Sequence, residues 1–396
     1  MKKCFVALNQ NDEIRKISSS GGVFYSLAEK VINEGGVIAA PIFDNNFNLR
    51  HTLINNKTNL LKALGSKYVQ SDLSDIYTKV KECLDHGVKV LFSGTPCQVV
   101  GLKRFLNKEY EELICINLIC HGVPSSNYWD KYRSYLETEY GSKITSVEFR
   151  NKDYGWIDFC IKIGFANGAI YKACHDQDHY FLLFRDNYIL KESCYHCVCK
   201  GDNGMADITL ADAWGTDHFP GRQQDGLSYV ICNTEKGCDF FVNDKSFLCE
   251  DINIDNIISA QPFYYESTKA DKKIFYNAED TWEDIRGKYR FIDRLDENKL
   301  KTNKSIIPWG AGNIFRSFAP ELIRRFGIKE VCDSNRELWG KEIRPGVTCI
   351  PPEDAVSMED SIIIIFIESE KTQRIIDDHL KNKGINDYLI YSELLK

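Results

Sequence analysis

Two short, largely apolar runs constrain this chain most. Residues 88–92 and 114–118 are of strand length, and each runs straight into small residues and a cysteine: Ser93-Gly94-Thr95-Pro96-Cys97 after the first, Ile119-Cys120-His121-Gly122 after the second. Set between stretches of helical periodicity, such runs read as buried strands of a parallel sheet. In open α/β sheets ligands collect beyond the carboxyl ends of the strands. Cys97 and Cys120 are therefore expected on one rim of one sheet.

The flanking pattern agrees. Residues 22–33 carry Val23, Leu27 and Val31 at helical spacing and stop at Gly35-Gly36, after which 37–40 read as a strand. Residues 75–86 (Ile76, Val80, Cys83, Leu84) form a second helix ended by Gly87, and 99–106 a third. From 143 to 234 the pattern is more antiparallel, alternating at 146–149, 159–165 and 228–232, with Asn167-Gly168 as a hairpin signal. The expected fold is α/β with α+β elements in the middle. It divides into a first domain over 1–254, a charged, aromatic, mostly helical connector over 255–303, and a small Rossmann-like domain over 304–396. In that last domain strands are expected at 305–309, 328–332, 361–367 and 388–391, with helices at 313–326 and 371–383.

Charge and hydropathy exclude several function classes. Fifty Lys and Arg against 57 Asp and Glu give a net charge of −7, which argues against a broad nucleic-acid surface. The longest apolar run, 362–367, falls far short of the roughly 18 residues that span a bilayer. The start of the chain turns polar at Asn9-Gln10-Asn11-Asp12, before a secretory apolar region is complete, so a cytoplasmic protein is expected. Fifteen cysteines are many for such a location and odd in number. A reducing compartment disfavours structural disulfides, leaving a metal or iron–sulfur site as the better default.

Several motifs bear on chemistry. Cys194-Tyr195-His196-Cys197 places two thiols around one metal or cluster edge, but one pair fills only two of four positions. Cys97 and Cys120 are the candidates for the rest, and Cys199 competes with Cys197. Ordinary thiols or a redox dithiol are the plainer alternative. Ser18-Ser19-Ser20-Gly21-Gly22 precedes a helix and suits an anion, or is a plain serine cap. Gly65-Ser66-Lys67-Tyr68-Val69-Gln70 offers a cation, a ring and an amide, or is an ordinary polar loop. Residues 207–215 begin as a strand and end with Asp212 and Trp214, fit to bind a ribityl hydroxyl and cover a ring, or simply to cap the strand. Gly310-Ala311-Gly312 is half of a dinucleotide fingerprint, broken at Phe315, with Asp333 where a ribose-binding acid belongs.

In this order the motifs resemble the coenzyme F420 hydrogenase/dehydrogenase β-subunit family, in the branch encoded among bacterial cell-surface polysaccharide genes. The likeness covers about residues 1–245 and is carried by Ser18-Ser19-Ser20-Gly21-Gly22, Gly65-Ser66-Lys67-Tyr68, Gly94-Thr95-Pro96-Cys97-Gln98, Ile119-Cys120-His121-Gly122, the Cys194/Cys197 pair and Asp207-Ile208-Thr209-Leu210. Phe149-Arg150-Asn151-Lys152 and Gly155-Trp156 also look like that branch. The resemblance implies FAD and a [4Fe–4S] cluster, with Cys97, Cys120, Cys194 and Cys197 as ligands. It implies flavin contacts from Ser20, Gly21, Gly22, Ser66, Lys67, Tyr68, Gln70, Ser93, Gly94, Thr95 and Pro96. The two-cluster ferredoxin domain of many relatives is missing, which implies a separate ferredoxin-like or other reduced donor.

The expected activity is an FAD- and [4Fe–4S]-dependent oxidoreduction of a sugar, nucleotide sugar or sugar-linked intermediate of polysaccharide synthesis. Lys67 would balance flavin or phosphate charge and His121 would donate a proton. The alternative is a non-catalytic subunit relaying electrons from a ferredoxin-like donor to a partner enzyme. No transmembrane segment and no nucleic-acid partner are expected.

Overall fold

The computed structural model describes residues 2–216, 218–219, 225–265, 279–289, 294–296, 299–300 and 304–395. The chain divides into two units, one of residues 1–171 and 179–286, the other of residues 172–178 and 287–396. Among the described residues, eleven strands precede the second sheet: β1 Lys3–Asn9, β2 Val37–Phe43, β3 Leu49–Ile54, β4 Val90–Gly94, β5 Leu113–Leu118, β6 Ile144–Asn151, β7 Cys160–Phe165, β8 Ile170–Cys174, β9 Ile208–Asp212, β10 Ser228–Cys232 and β11 Phe247–Asp251. Eight of them form one mixed sheet in the order β11-β1-β10-β9-β5-β4-β2-β3, while β6, β7 and β8 form a three-stranded sheet. The α/β class expected from the sequence is the class observed.

The centre of the large sheet is parallel. β2 pairs with β4, β4 with β5 and β5 with β9, all in the same direction. Both faces are buried, as continuous apolar strands require. On one face Leu91, Ile114 and Ile116 pack with Leu27 and Val31 of helix Val23–Asn33. On the other, Val90, Phe92 and Cys115 pack with Val80 of helix Ile76–Asp85 and with Val99 and Leu102 of helix Pro96–Leu106. The period-two alternation of β4 and β5 thus sends neighbouring residues into different cores.

The structure corrects three details. β1 and β3 belong to the sheet although the sequence pattern marks neither. β9 pairs parallel with β5, inside the stretch read as antiparallel, where β6 pairs antiparallel with β7 and β9 with β10. The third helix begins at Pro96, which puts Cys97 in its first turn rather than in a loop. The connector expected over 255–303 lies partly outside the described residues; within them, helices run Ile254–Ala260 and Trp282–Lys288.

The second unit holds β12 Ser305–Trp309, β13 Glu330–Cys332, β14 Glu342–Arg344, β15 Val347–Ile350, β16 Ser361–Ile365 and β17 Tyr388–Ile390, in the order β14-β15-β13-β12-β16-β17. All pair in parallel except β14 with β15. β12 enters helix Asn313–Phe326 through Gly310, whose φ of 106° few side chains adopt. The Asp333 carboxylate accepts from the Ala311 N–H at 2.7 Å and the Asn335 N–H at 2.8 Å. The acid that the fingerprint pattern assigns to a ribose braces the glycine turn here. No helix among the described residues is long and apolar enough to cross a membrane.

Candidate functional site

Because β4, β5 and β9 run in parallel, Gly94, Leu118 and Asp212 end on one rim of the sheet. Cys97 follows the first end. At the start of helix Pro96–Leu106 the Gln98 side chain accepts from the Thr95 N–H at 2.9 Å, and the Thr95 hydroxyl lies 3.1 Å from the Cys97 sulfur. Cys120 follows the second end. Its loop meets the segment of the cysteine pair at Gly122: a Cβ there would sit 2.8 Å from Leu190 Cδ1 and 3.3 Å from the Cys194 Cβ. The Lys191 N–H donates to the Val123 carbonyl at 3.0 Å, and the Val123 amide bonds the Cys194 thiol. The two loops are thereby held together by backbone, and the absence of a side chain at Gly122 permits it.

The thiols act on one another. Burial pushes the Cys120 thiol up to about 12; Cys97, Cys194 and Cys197 push the same way, and Lys200 opposes them. Cys194 is raised by burial, with Cys97 and Cys197 adding to it. Cys199 is raised by burial and by Cys197 and Cys97. Cys197, but not Cys199, is thus among the groups acting most on Cys120. Among the described residues no three His, Cys, Asp or Glu side chains are arranged to hold a single metal ion. A sulfur-only donor set drawn from three chain segments fits a multinuclear iron–sulfur cluster, which spreads its cysteines around several irons. Coordination would also remove the protons that burial otherwise keeps on Cys120 and Cys194.

Sequence reasoning did not single out Lys200, which is buried beside these cysteines. Its only sequence signal is adjacency to Cys199. His121 was expected as a proton donor. Burial and Lys200 lower it to about 4, its Nε2 lies 3.2 Å from the Phe184 carbonyl, and its ring packs against Phe184 and Phe263. This is the setting of a neutral, hydrogen-bonded histidine.

The loops expected around a flavin are tied to each other. The Ser66 N–H donates to the Ser19 hydroxyl at 2.6 Å, and the Gln70 N–H donates to the Pro124 carbonyl at 3.2 Å. Lys191 donates to Gln70 Oε1 at 2.6 Å. Gly21 donates its N–H to the Ser228 hydroxyl at 2.9 Å; Gly22 caps helix Val23–Asn33 at a φ of 80° with no side-chain cap bond. Lys67, by contrast, gives its ammonium to the Ala63, Leu64 and Gly65 carbonyls at 2.9, 2.9 and 3.0 Å, closing the end of helix Lys57–Ala63, and burial pulls it down to about 7. Tyr68 is packed among Phe149, Phe181 and Phe184.

His51, another residue the sequence did not flag, joins the Ser93–Pro96 turn to the 65–71 loop. Its Nε2 donates to the Ser93 carbonyl at 2.9 Å, which leaves Nδ1 to accept from the Ser71 hydroxyl at 2.9 Å. Ser71 accepts in turn from Gln98, whose Oε1 accepts from the Thr95 N–H. Burial lowers His51 to about 4, below its ordinary 6.5, so the unfolded chain binds the proton more readily. The neutral ring's contribution is therefore complete above about pH 6.5 and is lost as pH falls through 4, for up to about 3 kcal/mol. Thermal melting at about pH 7 and pH 5 is expected to show a marked loss in the native chain and a smaller one in His51→Gln. Equal losses in both would exclude His51 as a source.

A further cluster sits at the end of β9. Arg150 meets Asp212 at 3.0 Å and 3.3 Å, donates to the Ser19 carbonyl at 3.2 Å and reaches the Tyr68 hydroxyl at 3.3 Å. Asp212 also accepts from Ser20, and Trp156 donates to the Ser19 carbonyl at 3.0 Å while stacking on Trp214. The described cavities lie elsewhere: one of about 470 Å³ lined by residues including His218, Tyr229 and Glu250, another of about 430 Å³ lined by residues including Lys2, Lys103 and Asp202.

Two family profiles match the chain. Both describe the beta subunit of coenzyme F420 hydrogenase/dehydrogenase, one its N-terminal part, over residues 4–77, the other its C terminus, over residues 87–248. Together they span more than half of the sequence. The chain belongs to the coenzyme F420 hydrogenase/dehydrogenase beta-subunit family, a family of electron-transferring, iron–sulfur-type oxidoreductase subunits. Among solved structures, a chain of the F420-reducing [NiFe] hydrogenase complex from Methanosarcina barkeri matches at 18% identity and a TM-score of 0.43, covering 65% of this chain and 87% of that one. No curated protein matches.

Proposed function

We propose that the chain is an oxidoreductase that carries a [4Fe–4S] cluster on Cys97, Cys120, Cys194 and Cys197 and FAD against the adjoining loops, acting on a sugar or sugar-linked intermediate of cell-surface polysaccharide synthesis. The carrying observation is that Cys97 and Cys120 follow neighbouring strand ends on one sheet rim, where the Cys120 loop meets the Cys194 segment at Gly122. When bound, the cluster supplies single-electron transfer and the flavin converts between one- and two-electron steps. The chain's own part is to position and to exclude water. His51, Gln98 and Ser71 fix the Ser93, Gly94, Thr95 and Pro96 turn, Ser19 fixes Ser66, and the Ser228 hydroxyl holds the Gly21 N–H at the start of the next helix.

The relay reading, in which electrons pass to a partner enzyme, is favoured by one observation. Cys97 is exposed, and Val198, between two cysteines, is 75% exposed. The thiol cluster therefore has a face that a donor or acceptor protein can reach. Anaerobic purification with metal and flavin analysis tests both readings. About four irons and one flavin per chain are expected. A colourless, iron-free chain would end the redox account. Reoxidation of the reduced protein by a nucleotide sugar would favour the enzyme over the relay.

A further inference from the structure

We propose that Lys200 is a built-in counter-charge that raises the reduction potential of the cluster held by Cys97, Cys120, Cys194 and Cys197, an inference that rests on the reading above. Lys200 is only 6% exposed, a rare degree of burial for a lysine. Its ammonium lies 3.4 Å from the carbonyl of His121, next to Cys120, and 5.6 Å from the centre of the Phe263 ring. The backbone fixes this placement. The Asn203 N–H donates to the Lys200 carbonyl at 3.2 Å, and Gly201 follows at a φ of 59°, where a Cβ would lie 2.4 Å from Tyr265 Cδ1.

Four coordinating thiolates make this spot negative, and reduction adds one electron and one further negative charge. A cation fixed beside them stabilises the reduced form more than the oxidised one, and more strongly in a poorly solvated site than in water. Lys200 is thus a positioning and tuning residue; it is neither a ligand nor a proton donor in this account.

The test is a redox titration of the anaerobically purified full chain with dithionite, followed by the cluster's paramagnetic signal, with iron counted in each sample. Lys200→Gln is expected to keep its iron and to bind the electron at least tenfold more weakly, about 59 mV lower for a one-electron couple. Lys200→Arg, which keeps the charge, is expected to stay within about threefold of the native chain. Full iron and an unchanged potential in Lys200→Gln would overturn the proposal, as would an arginine variant that falls as far as the glutamine one. Should Lys200→Gln lose its iron, Lys200→Arg decides: iron at a near-native potential supports the proposal, and loss of either overturns it. An iron-free native chain would instead overturn the cluster reading beneath it.

Discussion

Cys120→Ser is expected to reduce bound iron from about four per chain to less than one. Cys97, Cys194 and Cys197 all act on the Cys120 thiol. A serine hydroxyl is a hard, protonated donor in place of a soft thiolate, so the cluster would lose one of its four ligands. The fold should survive, because the strand before it is anchored independently: Ile116 and Leu118 pair with Ile208 and Leu210, and the Cys115 N–H donates to Asp207 at 2.8 Å. Far-ultraviolet circular dichroism matching the native chain, with the brown colour gone, is the expected pair of results. Cys249→Ser, at an exposed position on β11, is the control that should keep its iron. Cys197→Ser against Cys199→Ser resolves the remaining choice. Loss in the first and retention in the second is expected; the opposite pattern would exchange the two ligands. Iron retained in Cys120→Ser would remove this residue from the site.

What the sequence made legible was local. Cys194 and Cys197 announce themselves by spacing, and Cys97 and Cys120 by following apolar strands, so the parallel centre of the sheet and the thiol rim are readable from the chain alone. What escaped depends on pairing between distant segments. β1 reads, at the head of the chain, as a short apolar stretch; its role comes from β10 and β11, more than 200 residues away. Lys67 looked free to meet a phosphate because a sequence does not display the three carbonyls at the end of its own short helix. His51, Lys200 and Arg150 carry ordinary polar signals, and their roles arise only once loops far apart in sequence meet at one rim.

Arg150 shows how much such a meeting contributes, and Arg150→Met is expected to lower the melting temperature of the first unit by about 6–12 °C. Arg150 has a side chain only 4% exposed, and Asp212 is 21% exposed. Removing one partner of a buried pair leaves the other charge poorly compensated, at about 3–5 kcal/mol; the partial exposure of Asp212 puts this case near 3 kcal/mol. At about 2–4 °C per kcal/mol for a unit of this size, the shift follows. The loss has a second source, because the guanidinium stacks 3.9 Å from the centre of the Phe159 ring and ties the Ser19 carbonyl to the Tyr68 hydroxyl. A lysine in place of the arginine would keep the charge but lack the fork needed to reach Asp212, Ser19 and Tyr68 together, so Arg150→Lys should lose roughly half as much. The Arg150→Met and Asp212→Asn changes combined should cost clearly less than their sum, since each alone strands the charge that the other removes. Strict additivity, or an Arg150→Met chain melting like the native one, would mean that the pair is incidental. Non-additivity would establish that one ion pair at the end of β9 holds the Ser19 and Tyr68 loops in register, and with them the surroundings of the proposed flavin site.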